Sequence, residues 1–331
     1  MKRVFLSLLV ASMAIVTVSA QQISVVSSSG STSMYQTLAE AIEGATNGST
    51  IYLPGGGFQI SDNVMITKRL SIIGVGHKAK SDNADGNTII SGSLNFCEGS
   101  SSSAVMGCYI SGSINIGYYD GSSVNNVLVK YCNLSSLMLN ALSYGTIINQ
   151  NFIRNTCSFN NASVTLTNNI IHSASNIDGG TITNNIFFSN FNYSSGPWGS
   201  NKLYTAITAS NSTVSRNIII DCGTVPLSGS NCVITDNMSK MDFGDDCIVI
   251  EEEKDWNDVF KQYNSEAVTP ASDFHFEGDY AKYENRVGIY AGSGFNDSGM
   301  APVPYIVAKS IPEQTDAEGK LNIRIRVKAS E

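Results

Sequence analysis

Two adjacent carboxylates, Asp245 and Asp246 in Gly244-Asp-Asp-Cys-Ile-Val-Ile, are the residues most open to acid–base chemistry. A carboxylate pair on one surface can divide its work. One group protonates a leaving oxygen while the other activates water or attacks. The competing reading is a turn with two aspartates followed by a buried strand. Arg154 and His172 form a second candidate pair, at equal offsets after Asn151 and Asn169. They therefore fall on neighbouring units of any repeat those asparagines mark, and an Arg at that offset points it toward solvent. A base with cations beside it is what proton abstraction next to an acid group requires. Scattered surface groups are the alternative. Between Gly92 and Met241 the Lys and Arg residues are Lys130, Arg154, Lys202, Arg216 and Lys240. That is thin material for an acid–base pair, so none of these four candidates is assigned as catalytic.

Binding chemistry has a separate candidate. Tyr193, Trp198 and Tyr204 lie in a segment rich in Ser, Asn and Gly. Sugar rings stack their C–H faces on such aromatics, with Asn and Ser supplying hydrogen bonds. A loop that buries its own aromatics is the alternative. Asp242, Asp245 and Asp246 with Glu251 to Glu253 offer oxygen ligands for Ca²⁺, although a charge run is usually a solvated face. No other cofactor is indicated. The 7 cysteines are odd in number and unevenly spaced, with no zinc-type spacing. Buried thiols packed as small apolar groups are expected, with a single Cys222–Cys232 bridge as a possible exception.

These residues need a scaffold, and the repeats supply one. A β-branched residue, an Asn and an apolar pair recur in Thr146-Ile-Ile-Asn-Gln-Asn-Phe-Ile, Val164-Thr-Leu-Thr-Asn-Asn-Ile-Ile and Thr181-Ile-Thr-Asn-Asn-Ile-Phe-Phe. Val214-Ser-Arg-Asn-Ile-Ile-Ile and Val233-Ile-Thr-Asp-Asn-Met continue the series. Aligned on Asn151, Asn169, Asn185, Asn217 and Asn237, most steps are roughly 16 to 20 residues. The step from Asn185 to Asn217 is about twice as long, so an extra coil or a long loop lies there. Short β-branched runs with Ser, Asn and Gly turns predict a β solenoid, in which stacked coils pair every backbone group. An Asn that returns beside apolar residues can face inward and bond its counterpart on the next coil.

Before the repeats, Tyr35 to Ala45 puts Leu38, Ala41, Ile42 and Ala45 on one helical face, which suits a lid on an open solenoid end. After them, the charged run from Glu251 is expected to leave the solenoid and cover its other end. Pro304 to Ile311 and Lys320 to Val327 read as a hairpin turned by Thr315-Asp-Ala-Glu-Gly. At the start, Lys2 and Arg3 precede an apolar run that closes on Val18-Ser-Ala, the pattern of a cleaved signal peptide. The expected organisation is signal peptide 1–20, N-terminal cap and first strands 21–70, parallel β-helix 71–250, and a C-terminal capping region with terminal hairpin 251–331.

The segment Tyr35 to Ser91 resembles the amino-terminal cap and first coils of the pectin-lyase-like β-helix superfamily. The matching residues are Thr37-Leu-Ala-Glu-Ala-Ile, Asn47-Gly-Ser-Thr-Ile-Tyr-Leu-Pro-Gly-Gly-Gly-Phe, Leu70-Ser-Ile-Ile-Gly-Val-Gly and Thr88-Ile-Ile-Ser-Gly. Asp273-Phe-His-Phe, Gly288-Ile-Tyr-Ala-Gly, Pro302-Val-Pro and Thr315-Asp-Ala-Glu-Gly-Lys-Leu look like the endings of exported β-helix proteins of gut Bacteroides-type bacteria. The resemblance implies a right-handed parallel β-helix. It implies no single reaction, because the superfamily spans lyases, hydrolases, esterases and proteins without known activity. Gly244-Asp-Asp-Cys is similar to the paired-aspartate motif of polygalacturonase-like glycosidases, but that family's Asn-Thr-Asp, His-Gly and Arg-Ile-Lys pieces are missing. The pectin methylesterase pieces are missing as well.

Composition agrees with that outline. Charged residues are 15% and hydrophobic residues 42%, where ordinary soluble domains carry about 25% charged residues. A net charge of -8 without a basic cluster argues against nucleic acid. No later segment is apolar enough to span a membrane. The reading is an exported all-β solenoid, destined for periplasm, cell surface or medium, that engages polysaccharide or another surface ligand. A polysaccharide lyase or polygalacturonase-like hydrolase is the first alternative, and a structural or adhesin-like module the second. Oligomeric state is left open.

Overall fold

The structure, a computed structural model, describes residues 22–78, 86–119, 121–188, 205–220, 225–264, 268–312 and 314–328. Its strands lie mainly in two long sheets, one of 11 strands and one of 14. From Ser49–Leu53 onward neighbouring strands in both sheets run parallel. Each coil gives one short strand to the first sheet, turns a corner and gives a strand to the second. Thr146–Asn149 and Phe152–Ala162 form one such coil, and Val164–Thr167 and Ile170–Asp178 the next. The chain is therefore an all-β parallel solenoid.

The corner explains the asparagine repeat. The residue before each aligned Asn adopts a left-handed backbone: Gln150, Asn168, Asn184, Arg216 and Asp236 all have φ between 56° and 58° or close below, with Asn168 at 51°. Asn and Asp enter this region more readily than other side chains. The turn buries peptide groups that neither sheet can satisfy. The following Asn supplies the partners. The Asn151 N–H donates to Asn169 Oδ1 at 2.9 Å, Asn169 to Asn185 at 3.0 Å, Asn185 to Asn217 at 3.0 Å and Asn217 to Asn237 at 2.9 Å. Each amide nitrogen also donates to main-chain carbonyls, as Asn169 Nδ2 does to Ile148 and Thr167 at 2.8 Å. Asn185 and Asn217 are consecutive rungs, so the doubled spacing holds no extra coil.

Cysteine extends the ladder at both ends. Cys132 takes the next position down, its N–H donating to Asn151 Oδ1 at 2.9 Å and its Sγ reaching the Lys130 and Val105 carbonyls. At the far end Cys247 follows the left-handed Asp246, in register with Asn237. Cys97, Cys108, Cys132, Cys157, Cys232 and Cys247 are free thiols, and the first four are buried. Burial pushes Cys132 and Cys157 up to about 12. With Cys232 free, the bridge weighed to Cys222 is not formed; Cys222 itself lies outside the described residues.

Inside the coils, Ile72, Val105, Val129, Ile148, Leu166, Ile182 and Val214 stack in register as one fully buried column. The apolar pair after each Asn splits between two faces, because successive strand residues point oppositely. Ile153, Ile171, Phe187 and Ile219 point into that core. Phe152, Ile170, Ile186, Ile218, Met238 and Ile248 form an outward column. Trp256, Val259, Phe260, Phe274, Phe276, Val287 and Ile289 bury that column. The segment expected to cover the solenoid's end thus packs along its side.

Residues 286–301 then run back toward the first coils along the left-handed corners. Arg286 pairs with Asp236 at 2.6 Å, and the Gly288 N–H donates to the Arg216 carbonyl at 2.8 Å. Asn168 Nδ2 donates to the Ile289 and Ala291 carbonyls at 2.8 Å. The Asn296 N–H donates to Gln150 Oε1 at 2.8 Å, and the His77 N–H to the Gly299 carbonyl at 3.3 Å.

At the amino-terminal end the helix is Leu38–Gly44, shorter than the sequence pattern, with Thr37 and Glu40 forming a reciprocal capping box. It buries Leu38, Ala41 and Ile42, the face the spacing predicts. The strands Ile23–Val26 and Thr32–Tyr35, not anticipated from sequence, extend the first sheet in antiparallel fashion. The terminal hairpin pairs Tyr305–Ser310 with Arg324–Lys328. Among the described residues no helix is long and apolar enough to cross a membrane.

Asn185→Ala is expected to destabilise the chain by about 2–3 kcal/mol, because it strands the buried Asn169 donors and the Leu166 carbonyl without partners. A urea titration followed by far-ultraviolet circular dichroism reads this out. An unchanged midpoint would remove the ladder's claim to support the fold.

Candidate functional site

The ionisable candidates are held in structural roles. Asp245 is part of the last corner: its N–H donates to the Ile234 carbonyl and its own carbonyl accepts from Asp236, both at 3.0 Å. Asp246 takes the left-handed position with φ 53°, as Asp236 does one coil earlier. Both side chains are exposed. The pair therefore occupies the corner position of the final coil, and Arg286, already paired with Asp236, lies close enough to feel the Asp246 charge. Among the described residues no three His, Cys, Asp or Glu side chains converge as a cation site.

Arg154 and His172 sit on paired strands, Phe152–Ala162 and Ile170–Asp178, beside a slip in register after Ile153. They reach opposite ways along the axis. Arg154 extends to earlier coils, donating to Asn133 Oδ1 and to the Ile110 carbonyl at 2.8 Å, with its guanidinium 4.7 Å from the centre of the Tyr109 ring. Partial burial pulls its pKa down. His172 is buried, stands edge-on to Phe188 in the next coil, and is held below its ordinary pKa by that burial. Tyr193, Trp198 and Tyr204 lie outside the described residues.

Sequence reasoning passed over His77. Its ring is 8% exposed and both its nitrogens lack a hydrogen-bond partner, as does the Oδ1 of neighbouring Asn87. The returning tail covers the ring so closely that a Cβ added at Gly299 would stand 2.3 Å from Nε2. Burial, then the positive charges of Lys78 and Arg154, lower its pKa to about 4. A second titratable cluster fastens the tail to itself. His275 pairs with Glu284 and stacks on Tyr290 at 3.7 Å, and Tyr290 donates to Asp297 at 3.1 Å. Neither cluster has a sequence signature, because both depend on chain segments that meet only in the fold.

An exposed aromatic corner was missed as well. The loop after Tyr109–Ile116 and the loop before Thr146–Asn149 stack on adjacent coils. The Asn126 N–H donates to the Tyr144 carbonyl at 2.9 Å, the Tyr144 N–H to Asn125 Oδ1 at 3.0 Å, and Ser123 Oγ to the Leu142 carbonyl at 3.0 Å. These bonds fix two loops that project Tyr118, Tyr119, Leu142 and Tyr144, which are 43%, 54%, 55% and 58% exposed. Tyr118 and Tyr119 meet edge to face, their ring centres 5.2 Å apart. Asn140, Asn125 and Ser123 lie among them. The signal available in the sequence was Gly117-Tyr-Tyr and Leu142-Ser-Tyr-Gly, two turns one coil apart.

No protein-family model, curated protein or solved structure matches the chain.

The His77 value carries a pH dependence with a definite sign. The unfolded imidazole titrates near 6.5 and the folded one near 4, so between these values the unfolded chain binds more protons. Stability is therefore complete above pH 6.5 and falls toward pH 4 by roughly 3 kcal/mol on this account. His172 adds in the same direction. Urea midpoints of the wild type and His77→Leu across pH 7.5 to 4.5 should diverge, with the variant flatter. Parallel curves would show that His77 is not held neutral by the fold.

Proposed function

We propose that the chain is an exported right-handed parallel β-helix of the pectin-lyase-like type that binds polysaccharide or a cell-surface glycan without cleaving it. The observation that carries this reading is the corner of Tyr118, Tyr119, Leu142 and Tyr144 on two stacked loops. Exposed rings keep apolar faces wet, and a sugar's C–H face relieves that cost while Asn and Ser bond its hydroxyls. Adjacent coils lie about 4.8 Å apart, so rings on successive coils present repeated contacts to a chain of repeated units.

The finer points have their own support. Crossovers between parallel strands of one sheet are right-handed in about 98% of cases. Lys2, Arg3 and the apolar run to Val18 supply the export signal. The sequence likeness of Tyr35 to Ser91 supports the superfamily, and the helix and antiparallel strands there suit an end cap.

A glycan-cleaving enzyme is the second reading. What favours it is the gathering of His77, Lys78 and Arg154, whose charges act on one another and would suit an acidic sugar. A structural or adhesin-like module without glycan affinity is the third.

Affinity electrophoresis over a panel of neutral and acidic polysaccharides separates the three. Retardation by at least one polysaccharide is expected, weakened roughly tenfold in Tyr119→Ala and again in Tyr144→Ala, about 1–1.5 kcal/mol for each ring. No retardation, or retardation indifferent to both changes, would defeat the aromatic-corner reading. New reducing ends or unsaturated products that vanish in Arg154→Ala, and persist in Asp246→Ala, would establish the enzyme instead.

A further inference from the structure

The terminal hairpin buries almost nothing. Ile311, Leu321, Ile323, Ile325 and Val327 are all exposed, and so is every residue of Arg324–Lys328. Alternation divides that strand into two faces: Arg324, Arg326 and Lys328 point one way, and Ile325 and Val327 the other, with Ile306 beside Val327. None of the three cations forms a salt bridge among the described residues. An isolated two-stranded hairpin is marginal in water, so this one is built to rest on something.

The opposite end of the solenoid has the matching character. Asp242, Asp245, Asp246 and Glu251 to Glu253 are exposed there, with Lys254 among them and Lys240 turned onto the Glu252 carbonyl. The two sheets end at Val233–Thr235 and Ile248–Val249, whose Val233 and Val249 are exposed. That surface combines carboxylates, exposed apolar side chains and open strand edges.

The tail keeps the two surfaces apart within one chain. Having run back along the corners, it seats Met300 against Gly76 and Ala301 against Gly107 at the early coils. The hairpin begins a few residues later, at Tyr305. From the strand Ala104–Met106 to the last strand of that sheet, Val233–Thr235, is roughly 30 Å at about 4.8 Å per coil.

We propose that the hairpin docks on the acidic last coil of a second copy of this chain, so that copies associate head to tail. Arg324, Arg326 and Lys328 face the carboxylates while Ile325 and Val327 cover Val233 and Val249. Such a contact joins two different surfaces, so it leaves a free hairpin at one end and a free acidic coil at the other and can propagate. Opposite charges steer the encounter and make it sensitive to salt.

Sedimentation velocity of the full mature chain over a concentration series, without glycan, tests this separately from the binding reading. Species larger than the monomer are expected at low salt, dispersing toward monomer in high salt. Reversing the hairpin (Arg324→Glu, Arg326→Glu, Lys328→Glu) or the last coil (Glu251→Lys, Glu252→Lys, Glu253→Lys) should each weaken association at least tenfold. Mixing the two reversed proteins should restore it, and circular dichroism confirms that both are folded. A chain monomeric at every concentration, or an assembly that survives both reversals, overturns the proposal. So does a monomer whose hairpin binds vesicles of anionic phospholipid instead.

Discussion

A chain that coils on itself must turn a corner in every rung, and each corner buries peptide groups that no strand partner can reach. The asparagine ladder is the answer to that constraint. Asn169 accepts from the rung before it and donates to two carbonyls and to the rung after it, within one buried side chain. The left-handed residue just before each rung aims the amide inward. Sheet register follows, because a coil slipped by one residue would lose both the ladder bonds and the inward column from Ile72 to Val214. Cysteine can stand in at Cys132, where a thiol offers a weak donor to the same kind of carbonyl pair.

The second constraint is that a parallel sheet is apolar on both faces. The outward column from Phe152 to Ile248 would be an extended hydrophobic stripe if left bare. Aromatic residues from Trp256 to Phe276 cover it, stacked closely on one another, with Phe260 between Trp256 and Phe276. The tail that follows uses the ladder's own geometry. Corner side chains and carbonyls at Asp236, Arg216, Asn168 and Gln150 face out at regular intervals, and residues 286–296 bond to each in turn. One repeat thus satisfies the interior with its second corner residue and anchors the tail with its first.

That economy leaves few ionisable groups for chemistry. Arg154 is committed to carbonyls and an aromatic face, His172 to a buried edge contact, and Asp246 to a corner backbone. The surfaces that remain exposed without an evident internal task are apolar or aromatic: the Tyr118–Tyr144 corner and the terminal hairpin. This is why binding, rather than turnover, is the function the geometry favours.

Much of the fold was legible from residues alone. The returning Asn beside β-branched pairs marked the coils, and Asn151, Asn169 and Asn185 do stand on consecutive rungs, since a period in sequence becomes a stack in space whenever each unit needs its neighbour to bury its faces. The helical face at Leu38, Ala41 and Ile42 and the strand pair at Tyr305 and Arg324 were local patterns, and local patterns survive folding. What lay beyond the sequence was long-range. That no coil separates Asn185 from Asn217, that residues 256–301 lie along the flank, that Gly299 covers His77, and that two tyrosine turns meet on one corner all depend on segments brought together from distant positions. Spacing can say that an apolar residue will be buried; only the tertiary structure decides what buries it.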